Sequence, residues 1–149
     1  IRAPRRLDAA GLARWNENSV GQPAFFFAAS SWQACGPLDE SLHYGMDLDL
    51  WLKLAKAFRI EPVPHQIAVE RDHPAAKTGG NRGRMYAVQC QVQFRHGYEL
   101  EAMDDITRWM NDYVRMSAGW ERVMKLPLAR QILLPIARRM APPPPARRG

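Results

Sequence analysis

The sequence predicts an α/β fold that passes into a helical extension, and three observations predict it. Pro23 to Phe27 is a short apolar run opened by proline and followed by small residues, the pattern of a buried strand. From about Asp47 to Phe58, Leu48, Trp51, Leu52, Ala55 and Phe58 recur at i, i+3, i+4 and i+7, the stripe of an amphipathic helix. Beyond Arg84 the pattern is helical alone.

In chain order, residues 1–20 are polar and arginine-rich and read as a loop or the end of a preceding helix. The strand follows. Ser30 or Ser31 can cap a short helix through Trp32 and Ala34, which Gly36-Pro37 stops. Leu38 to Leu42 is a loop, and then comes the Asp47–Phe58 helix, with Lys53 and Lys56 off its apolar stripe. Ile60 to Val69 is extended but broken by Pro62 and Pro64, which fits an edge strand or an irregular connection. Thr78-Gly79-Gly80-Asn81 is a break. One helix is expected from about Arg84 to Gly97 and another from Glu99 or Asp104 to about Met116. Gly119 is expected to interrupt the pattern before a further segment around Trp120 to Met124. Leu126 to Met140 is amphipathic and punctuated by Pro127 and Pro135, and the proline run from Pro142 reads as an extended tail. No internal repeat is present.

The 149 residues suffice for one modest domain. The sequence opens on Ile1, which is the expectation for a piece of a longer polypeptide. No stretch is apolar for long enough to span a bilayer, and no secretory signal pattern opens the chain. Cys35 and Cys90 are the two cysteines; one disulfide is possible, and so sparse a count fits a reduced, cytoplasmic setting. No Cys/His cluster has zinc spacing. The net charge of +6 is unevenly placed: Arg122 to Gly149 holds seven basic residues and no acidic ones, leaving 14 basic against 15 acidic residues in 1–121. A nucleic-acid-binding domain carries a basic stripe on its folded face, so nucleic acid is not the expected partner. The basic tail fits peripheral contact with an anionic membrane surface, or a terminal helix docked on the body with a solvated end.

Three segments carry candidate chemistry. In Gly45-Met46-Asp47-Leu48-Asp49-Leu50-Trp51-Leu52-Lys53-Leu54, two carboxylates stand at the mouth of a helix. There they can cap free N–H groups and offset the helix dipole, or one can act as a general base toward a hydroxyl. In Arg71-Asp72-His73-Pro74-Ala75-Ala76-Lys77-Thr78, the cations form either a solvated loop or a site for a phosphate or a metal. In Gln22-Pro23-Ala24-Phe25-Phe26-Phe27, the phenylalanines are expected in the core, since three in a row cannot all face a ligand. Trp32 and Trp51 read as packing residues.

The order and spacing of these segments resemble the C-terminal half of the family 2 glycosyltransferases. The acidic segment resembles the family's carboxylate pair followed by Asp-Leu-Trp and a basic residue; Met46 stands where many members have Glu, and Lys53 where many have Arg. The second segment resembles the family's Arg-x-His with Ser-Lys-Thr-like residues after it, Ala76 replacing Ser. The first resembles a Gln-Pro-x-x-Phe-Phe strand, with Ala28-Ala29 where relatives often have Arg-Arg. Phe94-Arg95-His96-Gly97 is a weaker echo of the Arg-Tyr-Gly-type end of a following helix.

The resemblance implies the C-terminal part of a GT-A, nucleotide-diphospho-sugar transferase domain. Residues 1–80 would be its acceptor side, 81–125 a helical extension and 126–149 a basic, Pro-rich tail. It implies transfer of a sugar from a nucleotide-diphosphate donor to an acceptor hydroxyl, with inversion. Asp47 would be the general base and Asp49 a supporting or capping carboxylate. Gln22, Arg71 and Lys77 would contact substrate. His73 would contact a divalent metal, Mn²⁺ or Mg²⁺, held mainly by residues absent from this chain. The nucleotide-binding βαβ units of the family are not in this sequence, and Asp47-Leu48-Asp49, which has the letters of its Asp-x-Asp metal motif, stands at a helix mouth followed by Leu-Trp and is assigned to the acidic segment instead; the fragment alone is therefore expected to be inactive. His43, His65 and His96 match no motif and read as structural or surface residues. A truncated, non-catalytic module that binds a protein partner or an anionic membrane is the alternative.

Overall fold

The computed structural model describes residues 6–17, 20–65, 67–69 and 81–126. Their regular elements are α1 (Ala9–Ala13), a 3-10 turn (Gln22–Ala24), α2 (Ala29–Cys35), α3 (Met46–Ala57), α4 (Arg82–Arg95) and α5 (Glu99–Met124). Among the described residues there is no strand and no sheet, so the expected α/β, GT-A fold is corrected to an all-helical one. The physical reason is pairing. An extended segment must find partners for its N–H and C=O groups, and a stable sheet needs several strands with an apolar face. Pro23 to Phe27, whose Ala24 and Phe25 N–H groups donate locally to Gly21 O and Gln22 O, finds no pairing strand among the described residues. It becomes the 3-10 turn and an extended connection, with Phe26 74% and Phe27 44% exposed rather than in the core. The stretch after Ile60 is likewise irregular, with Val63, Ile67 and Val69 exposed.

The chain divides into two compact units, Ile1–Ile106 and Thr107–Gly149, the boundary falling within α5. In the first unit α1, α2 and α4 each pack on α3. Leu48, Leu50, Trp51, Leu52 and Leu54 are all buried, more of α3 than one stripe, because a helix covered on several sides has little polar face to keep. Leu12, Ala13, Leu42, Leu48, Trp51, Leu52 and Val92 form the core cluster. Phe25 stacks on Trp51 with ring centroids 5.4 Å apart.

The ends of the helices explain where they lie. Asp8 caps α1 by accepting the Gly11 N–H at 2.8 Å. A Cβ on Gly11 would collide with Arg6 Cβ and stand 2.8 Å from the Arg6 carbonyl oxygen, so this close approach admits no side chain. Helix α2 stops at Gly36, whose N–H donates to Trp32 O at 2.7 Å. Helix α4 ends in a left-handed Gly97 (φ 78°), with the Tyr98 N–H donating to Gln93 O at 2.9 Å. This is a Schellman-type turn, and it fixes His96 just inside. Inside the unit, Gln93 is fully buried, and its Nε2 donates to Ala13 O and to Asp105 Oδ2, each at 2.8 Å. Cys35 and Cys90 are free thiols; burial, then the Asp105 charge, pushes the Cys90 thiol up.

Gly45 is the N-cap of α3 and sits at φ 71°, ψ 11°, in the left-handed region. A Cβ there would meet Gln89 Cγ at 3.5 Å and Val92 Cγ2 at 3.6 Å, ordinary contacts, so the strain of Gly45→Ala is in the backbone. The substitution is expected to cost about 1 kcal/mol. For a domain of this size that is a fall in Tm of about 4–8 °C. A thermal melt with no shift would contradict the assigned backbone conformation.

Candidate acidic site at the mouth of α3

Gly45 turns the chain into α3, and Asp47 and Asp49 occupy the first turn, where carboxylates complement unpaired N–H groups and the helix dipole. Asp47 Oδ1 accepts the Leu48 N–H at 2.9 Å, and its side chain is half-buried. Residues two apart on a helix do not share a face. The two carboxylates therefore face away from one another and do different things.

Asp49 faces inward and is 1% exposed. Lys53 Nζ, one turn on, lies 2.6 Å from its Oδ2, and His96 Nε2 lies 2.8 Å from its Oδ1. The order acid-then-lysine at i, i+4 is the favourable one along the helix dipole. A carboxylate only accepts, so His96 Nε2 carries the proton of this bond. Its Nδ1 lies 3.4 Å from Lys56 Nζ. Lys56 also donates to the His96 carbonyl at 2.8 Å and stands over the Tyr98 ring, 5.3 Å from its centroid. Asp49, Lys53 and Lys56 thus line one side of α3 and clamp the turn between α4 and α5.

Burial pushes the Asp49 carboxyl up, but the ion pair with Lys53 and the hydrogen bond with His96 outweigh it and hold the carboxyl below the ordinary carboxylate range. The sign follows from linkage. A carboxylate depressed in the folded state contributes stability above its unfolded pKa of about 3.9. That contribution is lost as pH falls through the lower folded value. Chemical denaturation should therefore show a contribution from Asp49 that is constant from neutrality down to about pH 5 and declines below about pH 4. The Asp49→Asn variant should lack this decline, and an identical pH dependence in the two proteins would overturn the assignment.

Of the residues singled out in the sequence, Asp47 and Asp49 meet at one helix mouth. Gln22 is exposed on the 3-10 turn, three residues before the Phe25 that stacks on Trp51, and among the described residues its side chain bonds to neither carboxylate. Arg71, His73 and Lys77 lie outside the described residues, as does the segment after Leu126. Among the described residues no three His, Cys, Asp or Glu side chains gather to hold a metal, and His73, the expected metal contact, lies outside them. His96 is the participant that sequence reasoning missed. The signal was Asp49 itself, since a carboxylate inside an apolar helix requires a cationic or donor partner. Compared with protein-family models, curated proteins and solved structures, the chain matches none.

Proposed function

We propose that this chain supplies the acceptor side of an inverting glycosyltransferase, as part of a longer polypeptide. The observation that carries the reading is the division of labour at α3. Asp49 is committed to Lys53 and His96, whereas Asp47, half-buried at the helix mouth, has no cation paired with it among the described residues. An acceptor hydroxyl is a poor nucleophile until its proton is removed as it attacks. Asp47 takes that proton while the acceptor oxygen bonds to the anomeric carbon. The bond from that carbon to the donor diphosphate breaks on the opposite face, and the nucleoside diphosphate leaves with the electron pair. The base and the departing group stand on opposite sides of the ring, as in inverting glycoside hydrolysis with the alcohol in place of water.

The motif order around Asp47 supports the substrate class: Gln22 beside the acceptor or donor sugar, and Arg71, His73 and Lys77 near the diphosphate. The setting consistent with such a donor is cytoplasmic. Among the described residues no helix is long and apolar enough to cross a membrane. The test is acceptor-dependent release of nucleoside diphosphate from a panel of nucleotide sugars by the polypeptide that carries this chain. Release with a hydroxyl acceptor and inversion in the product is expected. No release with any donor, from protein that melts cooperatively, would refute the reading.

A further inference from the structure

In the second unit α5 carries an apolar face that no other described residue of that unit covers. Trp109, Tyr113, Met116, Trp120 and Val123 recur at intervals of three and four. At about 100° per residue they share an arc of about 80°. Met110 and Val114 widen the apolar side to about half the helix circumference, an arc that also holds Ser117 and Glu121. All seven side chains are exposed, from 37% at Val123 to 68% at Met116. Arg115 and Arg122, one heptad apart, stand on the opposite side, and Lys125 stands at its edge.

Charge identifies the occupant. Thr107–Gly149 contains nine basic and two acidic residues, a net of +7, while Ile1–Ile106 contains 12 basic and 13 acidic, a net of −1. A second copy seated on this face would bring another strongly basic unit against the first. The stripe also offers Trp109, Tyr113 and Trp120 where a two-stranded seam favours Ile, Val and Leu. Amphipathic side chains with an apolar body and a polar tip suit the boundary between headgroups and acyl chains.

We propose that this face of α5 binds an anionic membrane surface. The helix lies in the interface plane, with Trp109, Tyr113, Met116, Trp120 and Val123 seated below the headgroups. The basic residues of the unit supply attraction that salt screens. The docking surface is independent of the sugar-transfer reading, since it uses none of the residues assigned to that chemistry.

The experiment is co-sedimentation of the full chain with vesicles of phosphatidylcholine, with and without phosphatidylglycerol. It includes a Met116→Glu/Trp120→Glu variant whose helix content is checked by circular dichroism. Binding that requires phosphatidylglycerol, weakens with salt and falls about tenfold or more in the variant is expected. Tryptophan emission should shift to the blue on vesicle addition, and Trp109→Phe/Trp120→Phe, which keeps an apolar face, should remove most of that shift. Three results would each overturn the proposal: no binding to anionic vesicles, binding equal in the Glu variant, or a lipid-free dimer that the Glu substitutions split.

Discussion

Asp47→Asn is expected to lower sugar transfer by about 10²–10⁴-fold, the range for loss of a positioned general base. The substitution keeps the shape of the side chain and its ability to accept the Leu48 N–H, so the mouth of α3 is retained. What it removes is the capacity to take a proton. In the proposed reading the donor's diphosphate and nucleotide are held by other groups, so the loss should fall on kcat with the KM for the donor nearly unchanged. A loss made only in the transition state has that signature. Turnover close to that of the unsubstituted enzyme would remove Asp47 from the chemistry.

Asp49→Ala is expected to have the opposite character. It leaves the His96 donor inside the unit without its acceptor, and frees Lys53 from its partner. Breaking a buried pair from one side costs about 3–5 kcal/mol. Lys53 is 35% exposed and can re-enter water, so about 2–4 kcal/mol is expected here, with a fall in Tm of about 10 °C or more. The same clamp holds the turn between α4 and α5, so protection of amides around Gly97 and Tyr98 from hydrogen exchange should fall with it. A melt within a degree or two of the unsubstituted protein would show that the clamp contributes little.

How much of this was legible in the sequence differs by element. Helix α3 was readable because its apolar residues repeat at helical spacing, and the structure places it at Met46–Ala57. The stop of α2 at Gly36-Pro37 was readable because glycine and proline act locally. The strand at Pro23 to Phe27 was misread because an apolar run says only that a segment seeks burial, not that a pairing strand exists. Here none does among the described residues, and Phe26 stays in solvent. The expected break at Gly119 fails for a reason of magnitude. One glycine costs about 1 kcal/mol in a helix, too little to end α5 between Met116, Ala118 and Glu121, and the helix runs on to Met124. Asp49 and His96 lie 47 residues apart, and no local pattern joins them. The roles of Arg71, His73 and Lys77 rest on their resemblance to a motif alone.

The central claim is that two carboxylates two residues apart serve different ends, Asp47 chemistry and Asp49 structure. Thermal melts of Asp47→Asn and Asp49→Asn, run side by side with the unsubstituted chain, test it without knowledge of any substrate. The account predicts a clear fall in Tm for Asp49→Asn, which loses its ion pair with Lys53, and little or no fall for Asp47→Asn. Equal falls, or a larger fall for Asp47→Asn, would contradict it, because Asp47 would then be a structural residue and no longer a free base at the mouth of α3.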